Sequence, residues 1–305
     1  MGTVQSNKQL VHDFSFRVKD IGLLSGDDLA AAKQYMDDLF VDDYVDHDPF
    51  PAQPPGRDGL WQAIRWFCAA FPDQHLNVTH LMAEGELVML RGAINATNKG
   101  SLMGIPPTNK RVSYVGDRLF RLRDGKFIEG WFNFDGVGLM QQLGVVPIPP
   151  GTDPFAPAPV PPVVTGGIQT SVDENKELMR RLIDDLWNRG NLSVTKEIFH
   201  PEATSPSAPM LPKGPDGVNF IVNAFRSAFP DYWIKITDLV AEGDQVAARL
   251  LQGGTHQGNL MGIPATGKTA EWSEMAILRI AGGQVVESWY EGDALGMMRQ
   301  LGVGG

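Results

Sequence analysis

The order of apolar and polar positions predicts the same series of elements twice along the chain. The segment DDLAAAKQYMDDLF (27–40) predicts a helix, and so does VDENKELMRRLIDDLWNRG (172–190). In the second segment, apolar residues recur at three- and four-residue spacing, which is typical of a helix that packs one face on a core. These residues are Leu178, Leu182, Ile183, Leu186 and Trp187.

A second helix is predicted from the G-x-D-G runs at 56–59 and 214–217 up to a Phe-Pro-Asp triplet. Three or four alternating strands follow, and a short last helix ends in Gln-Leu-Gly. Helices that precede a run of hairpin-linked strands are typical of an α+β fold with an antiparallel sheet. We expect helices that cover one face of a strongly curved sheet, with a pocket between them.

The repetition extends to the residues themselves. An offset of 158 residues brings 56–144 onto 214–302 without a gap, and about two positions in five are identical. A period this long indicates a duplicated domain, because each copy is large enough to bury its own core. The Pro-rich run from 145 to 171 reads as a spacer that neither a helix nor a sheet can include. We therefore expect domains at 1–144 and 172–305, joined by a linker at 145–171.

Composition narrows the classes of function. The formal net charge of −10 argues against nucleic acid as a partner, which requires clustered Lys and Arg. No apolar run approaches the ~20 residues that a membrane span requires, so we expect no membrane association and a cytoplasmic location. Cys68 is the only cysteine, which leaves no intrachain disulfide and no thiolate metal site.

One short match could mislead. GIPATGKT (262–269) fits the phosphate-binding pattern G-x-x-x-x-G-K-[ST]. That pattern binds phosphate only where a strand precedes it and a helix follows it. Here the following residues, AEWSEMAILRI, alternate as a strand does, and the first copy has Asn109 and Arg111 in place of Gly and Ser or Thr. We predict a loop between strands and no nucleotide site.

The shared motifs resemble one family. G-x-L-M-G-I-P-x-T-x-K, then E-x-W-x-x-x-D, then L-G-x-x-x-Q-L-G are similar to the SnoaL-like polyketide cyclases of the nuclear-transport-factor-2-like superfamily. The resemblance covers about 27–144 and 173–302, and it implies a cone-shaped α+β domain in each copy. It implies an aspartate near the end of the last strand that acts as acid and base in an intramolecular aldol closure, without metal or cofactor. That aspartate maps onto Asp135 and onto Asp293.

The implied chemistry suits a small apolar molecule that carries carbonyl groups. Removal of a proton next to a carbonyl needs a carboxylate in a water-poor pocket. If the last hairpins turn at Asp124-Gly125 and Gly282-Gly283 without irregularity, alternate residues select the pocket wall. We then expect substrate contacts from Tyr114, Arg118, Trp131 and Asn133 in the first copy, and from Trp272, Glu274, Trp289 and Glu291 in the second.

Two histidines are further catalytic candidates. His47 lies in YVDHDP and His256 in G-T-H-x-G, both positions that resemble family sites near a pocket. No pair of residues has the H-E-x-x-H spacing, and no His–carboxylate cluster reads as a metal site. We therefore expect no metal and no cofactor.

Several alternatives remain open at this point. The same fold hosts isomerases, hydrolases and non-catalytic binding modules. A hydrolase would use an Asp–Arg–Asp set, for which Asp117, Arg118 and Asp135 are the candidates, although adjacent residues of a strand point to opposite faces. Asp135 and Asp293 each precede a short helix and could instead cap it. We expect the two copies to form an intrachain pseudo-dimer, with further homo-oligomers left open.

Overall fold

The structure is a computed structural model that describes residues 3–23, 28–50, 52–147 and 170–303. The chain divides into two compact units, residues 1–154 and 155–305. Most of the predicted linker, residues 148–169, lies outside the described residues. No helix in the described part of the chain is both long and apolar enough to cross a membrane.

The described residues of the first unit form four helices and five strands. The helices are α1 (Val4–Leu23), α2 (Asp28–Leu39), α3 (Gly56–Ala70) and α4 (Gly136–Leu143); the strands are β1 (Phe40–Asp46), β2 (His75–Glu84), β3 (Leu87–Thr97), β4 (Arg111–Arg123) and β5 (Lys126–Phe134). The strands form one sheet in the order β1-β5-β4-β3-β2.

The second unit repeats this plan. Its helices are α5 (Val172–Arg181), which continues as a π-helix over Leu182–Asn188, then α6 (Thr195–Ile198), α7 (Gly214–Ala228) and α8 (Ala294–Leu301). Its strands are β6 (Phe199–Thr204), β7 (Trp233–Glu242), β8 (Gln245–Thr255), β9 (Thr269–Ala281) and β10 (Gln284–Gly292), in the order β6-β10-β9-β8-β7. The predicted α+β class and the tandem repeat are confirmed.

The sheets are mixed rather than purely antiparallel. Strands β2 to β5 form the predicted antiparallel meander, and β1 adds to the edge of β5 in parallel. Strand β6 joins β10 in the same way. A parallel neighbour requires a long crossover, which the chain supplies through α3 and the meander. The sequence analysis did not identify these two edge strands.

The first helix of the first unit was also missed. In the second unit Asn175 of α5 donates its side-chain N–H to the Gly243 carbonyl oxygen. In the first unit Asn7 of α1 donates to Gly85, which is the matching residue. The counterpart of α5 is therefore α1 and not the predicted segment 27–40, which forms the additional helix α2.

Aromatic side chains fill the core between helices and sheet. In the first unit Phe14 of α1 packs within 5.3 Å of Phe40 and Phe127, and Phe40 stacks on Phe127 at 4.5 Å between ring centroids. In the second unit Phe199, Phe229 and Leu186 are fully buried in the corresponding cluster. Because each aromatic side chain buries 150–250 Å², these contacts fix the helices over one face of each sheet.

The segment GIPATGKT lies in the loop between β8 and β9, and β9 begins at Thr269. No helix follows it, so the prediction of a loop is confirmed. In the same loop, Leu260 and Ile263 exchange two backbone hydrogen bonds around Met261 and Gly262, as Leu102 and Ile105 do in the first unit. The shared L-M-G-I-P run is thus a tight turn.

The shared Phe-Pro-Asp triplets also have a structural role. Asp231 accepts hydrogen bonds from the backbone N–H and the hydroxyl of Thr255, both at 2.7 Å. Asp73 accepts the same two bonds from Thr97. These bonds, the backbone one first, lower the pKa of the Asp231 carboxyl. The aspartate therefore ties the end of α7 to the end of β8.

We expect Asp231→Ala to lower the free energy of unfolding by about 1 kcal/mol at pH 7, since a typical hydrogen bond contributes that much. A carboxyl whose pKa is lower in the folded chain stabilises the fold above its unfolded value of about 3.9 and loses this effect as the pH falls through the folded value. The difference between wild type and variant in urea unfolding should therefore shrink at pH 3. An unchanged difference would contradict this role of the charge.

The aspartates of the two E-x-W-x-x-x-D motifs cap the last helices. Asp135 accepts a hydrogen bond from the backbone N–H of Gly138 at 2.8 Å. Asp293 accepts one from Gly296 at 2.7 Å. A Cβ on Gly138 would lie 2.0 Å from the Asp135 carboxylate, so the spacing D-x-x-G is part of the cap.

We expect Asp135→Ala and Asp293→Ala each to lower the free energy of unfolding by about 1 kcal/mol, because an N-cap exchange to Ala costs about that much. The Asn variants should retain most of the stability, since Asn caps as well as Asp. Chemical unfolding of the four variants tests this. Ala variants as stable as their Asn partners would show that the caps contribute nothing.

Candidate functional site

Each unit has a cavity between its helices and its sheet. The cavity of the second unit has a volume of about 280 Å³, close to the lower end of the range for small-molecule sites. Its wall is mostly apolar and includes Leu182, Ile183, Ile221 and Phe225. A wall of this composition excludes water and leaves a few polar groups to orient a ligand.

Three of these polar side chains are linked by consecutive hydrogen bonds. The Tyr232 hydroxyl donates a hydrogen bond to the side-chain oxygen of Gln252, and the Gln252 amide donates to Glu274 Oε2 at 3.1 Å. Tyr232 and Gln252 are buried, and Glu274 is partly exposed. These two hydrogen bonds hold the Glu274 carboxylate in position on a mostly apolar wall.

A second phenol lies on the same wall. Tyr290 pairs with Ala276 across β9 and β10, and Gly292 pairs with Glu274, so Tyr290 and Glu274 share a face of the sheet. Burial, opposed by a hydrogen bond with Ser288 and assisted by the Glu274 charge, raises the pKa of Tyr290 to about 12. Burial also raises the pKa of Tyr232 well above its usual value. Both phenols keep their protons near neutral pH and are hydrogen-bond donors.

The cavity of the first unit is smaller and has a different chemistry. Its volume is about 90 Å³, and its wall includes Phe67, Phe120 and Phe132. Arg118 lines it, with its guanidinium 4.7 Å from the centre of the Phe132 ring. Burial lowers the pKa of Arg118, although the group remains a cation at neutral pH.

The expected sharing of faces in the last hairpins is wrong. A bulge at Ile128 shifts the pairing, so that Trp131 pairs with Leu119 and Asn133 with Asp117. Arg118 instead pairs with Phe132. A bulge at Val286 has the same effect in the second unit, where Trp289 pairs with Ile277 and Glu291 with Met275. The expected pairing holds only for regular strands, because one extra residue exchanges the two faces.

The structure therefore keeps some of the residues that the sequence grouped together and separates others. Arg118 and Trp131 line the first cavity and Glu274 lines the second. Glu291, expected beside Glu274, lies on the opposite face. Tyr114 and Trp272 are buried among aromatic rings, and Asn133 is buried opposite Asp117.

The candidate aspartates and histidines line neither of these two cavities. The Asp135 and Asp293 carboxylates hold the ends of α4 and α8, as described above. His47 stacks on Trp131 at 4.4 Å and contacts Glu129 Oε2 through Nε2 at 2.8 Å. His256 is fully buried, and its Nδ1 lies 3.2 Å from the Thr266 hydroxyl. Asn98 takes the place of His256 in the first unit and also binds the loop threonine, Thr108.

The hydrolase arrangement receives no geometric support. Asp117 forms a buried ion pair with Arg91 at 2.7 Å, on the sheet face opposite Arg118. In the described part of the chain, no group of three or more His, Cys, Asp or Glu side chains could hold a metal ion.

Sequence reasoning missed the residues that give each cavity its polar character. In the second unit these are Tyr232, Gln252, Ser288 and Tyr290; in the first they are Tyr44, Asp46, Asp48 and Gln53. Tyr290 differs from its counterpart Phe132, and Gln252 from Ile94. These residues could have been found in the sequence as polar positions of one copy that align with apolar positions of the other.

Comparison with known proteins agrees with the fold and the duplication. A family model described as SnoaL-like polyketide cyclase matches residues 23–143 and 177–301. The aklanonic acid methyl ester cyclase DnrD of Streptomyces peucetius is 31% identical over 131 residues, which cover 41% of this chain and 89% of that protein. The cyclase of the same description from Streptomyces sp. (strain C5), DauD, is 30% identical over 41% of this chain and 80% of its own length.

Two solved structures each cover less than half of this chain. TsrD from Streptomyces laurentii is 30% identical, with a TM-score of 0.42 over 44% of this chain and 98% of its own. IdmH from Streptomyces antibioticus is also 30% identical, with a TM-score of 0.38 over 42% and 99%. Because the family model matches most of the chain in two segments, the protein belongs to the SnoaL-like polyketide cyclase family and carries two copies of its domain.

Proposed function

We propose that the second unit catalyses an intramolecular aldol ring closure, with Glu274 as the base, on a small apolar compound that carries ester and ketone groups. The observation that carries the proposal is the position of Glu274, which is the carboxylate on a largely apolar cavity wall with two protonated phenols nearby. The related cyclases are named for a methyl ester substrate, which supports this substrate class.

The residues of the wall suffice for each proton transfer. Glu274 would take a proton from the carbon between two carbonyl groups, and the resulting enolate carbon would attack a second carbonyl within the same molecule. The new alkoxide would then take the proton back from Glu274, so that product and substrate have the same atoms. This chemistry requires no cofactor, since a positioned carboxylate contributes about 10²–10⁴-fold by itself.

Tyr290 would stabilise the negative charge on oxygen. It lies on the same face as Glu274, whereas Tyr232 donates its hydrogen bond to Gln252 and so helps to orient Glu274. A neutral donor aimed at the enolate oxygen strengthens as charge develops there, which lowers the barrier more than it strengthens substrate binding.

The caps leave the motif aspartates less suited to this role. The Asp293 carboxylate already accepts the N–H of Gly296, and the residue is exposed to solvent. Glu274, in contrast, lies on the wall of the cavity that a substrate would enter. The alternative hypothesis is that Asp135 or Asp293, rather than Glu274, is the base, and the experiment below distinguishes the two.

We expect Glu274→Gln to slow proton exchange by 10²-fold or more, because the amide keeps the shape of the side chain and removes the base. The measurement is NMR of α-proton exchange in heavy water with a panel of β-keto esters of increasing size. Glu271→Gln is the matched control, since Glu271 is an exposed residue of the same strand, β9.

Two outcomes would contradict the proposal. If Asp293→Asn or Asp135→Asn abolishes exchange while Glu274→Gln does not, the motif aspartate is the base. If wild type does not exceed the buffer rate with any ester, although the esters bind, the cavity is a binding site without catalysis.

We expect Tyr290→Phe to lower kcat by about 10²-fold with a small change in KM, which is typical when one donor to an oxyanion is removed. The ring still fills the wall, so the melting temperature should remain close to that of wild type. Because the pKa of Tyr290 is about 12, the wild-type rate should show no loss from ionisation of this phenol below about pH 10. An unchanged kcat would exclude Tyr290 as a donor.

A further inference from the structure

Arg118 is a charged group that lacks a protein partner on the wall of the first cavity. Among the residues that the structure describes, none forms a hydrogen bond or an ion pair with its guanidinium, and its close contact is the face of the Phe132 ring. A guanidinium has five N–H donors, and here they are left to water because the side chain is only partly buried. Free donors on a cavity wall are available to a ligand that enters the cavity and displaces this water.

The nearby carboxylates are occupied by other donors. Asp46 accepts from the side-chain amide of Gln53 at 2.7 Å and from the backbone N–H of Asp48 at 3.2 Å. Asp48 accepts from the backbone N–H of Phe132 at 2.9 Å. Glu129 accepts from Arg121 at 2.5 Å. None of them lies within 4.0 Å of Arg118, although the negative charge of Asp46 acts on it from a greater distance.

We propose that the cavity of the first unit binds a small monocarboxylate, whose two oxygens accept the N–H groups of Arg118. The planar guanidinium matches the two oxygens of a carboxylate and pairs with both at once. The cavity volume of about 90 Å³ is roughly three times the ~30 Å³ that a water molecule occupies in the liquid, which suits a group of the size of acetate to butyrate. Asp46 and Asp48 on the same wall disfavour a ligand with a second negative charge.

Two features hold the arginine in position for this role. Gly116 precedes it on the same strand face, where a Cβ would lie 2.9 Å from the Phe132 ring, so the glycine leaves room for the ring under the guanidinium. Tyr44 lines the same cavity, is buried, and has no hydrogen-bond partner for its hydroxyl among the described residues. Its hydroxyl is therefore available as an additional donor to the ligand.

This site is independent of the proposed catalysis in the second unit. There the positions of Gly116, Arg118 and Phe132 are taken by Glu274, Ala276 and Tyr290. One cavity thus presents a cation and the other a carboxylate at neighbouring positions of the same fold. The Arg118 guanidinium can pair with a carboxylate ligand, whereas the Glu274 carboxylate at the matching wall repels one.

The test is isothermal titration calorimetry of the full chain with acetate, propionate and butyrate, and with propionamide as the uncharged counterpart. We expect saturable binding of at least one carboxylate and none of the amide. Arg118→Met should weaken that binding by about tenfold or more, since hydrogen bonds to charged groups contribute enough for that change. Without ligand, the Met variant should melt no lower than wild type, because it removes an unpaired charge.

Matched variants decide between this site and the alternatives. Arg111→Met removes an exposed arginine of the same strand and should bind as wild type does. Glu274→Gln should also bind normally, which separates this result from the catalytic proposal. Arg118→Lys keeps the charge but loses the planar pair of donors, so it should bind more weakly than wild type and provides a second readout if the Met variant fails to fold. Equal binding of propionamide, equal loss in Arg111→Met, or no binding of any carboxylate would overturn the proposal.

Discussion

The bulge in the last hairpin of each unit determines which chemistry the cavity receives. At Ile128 and at Val286 one residue has no partner on the neighbouring strand, and every residue beyond it changes face. Without the bulge, Trp131 and Trp289 would occupy the wall positions that Phe132 and Tyr290 hold. An ion pair follows each bulge directly, Arg121 with Glu129 and Arg279 with Glu287. The identity of the cavity residues therefore depends on a local irregularity that the ion pair accompanies in both copies.

The residues common to both copies are mostly structural. In E-x-W-x-x-x-D, the glutamate pairs with the arginine of the neighbouring strand and the aspartate caps the last helix. The aspartate of Phe-Pro-Asp binds the end of β3 through Thr97 in the first unit and the end of β8 through Thr255 in the second. The L-M-G-I-P run forms a tight turn. The cavity positions, in contrast, differ between the copies. Shared motifs in this chain thus report how the fold is held together, and differences report what each cavity does.

Because the shared motifs are structural and the cavity positions differ, the sequence predicts the fold better than the site. Helix periodicity, strand alternation and the 158-residue repeat predicted the fold class, the duplication, the two long helices at 56 and 214 and the absence of a nucleotide loop. The parallel edge strands β1 and β6 carry no alternation of their own that separates them from loops, and α1 has no close counterpart in sequence. The predicted grouping of wall residues failed mostly at the bulges. A bulge depends on pairing between strands and leaves no signature in the alternation of one strand. Arg118 and Glu274 were named, but with neighbours from the wrong face.

The two cavities differ in charge although the fold around them is the same. A glycine at 116 and a phenylalanine at 132 make space and a flat surface for the guanidinium of Arg118. At the matching positions, Glu274 and Tyr290 place a carboxylate and a phenol on the wall, and Ala276 removes the cation. Were Arg118 present in the second cavity, it would pair with Glu274 and lower its basicity, so a base and this arginine are poorly compatible in one cavity. Duplication resolves that conflict, since Arg118 and Glu274 lie on the walls of separate cavities.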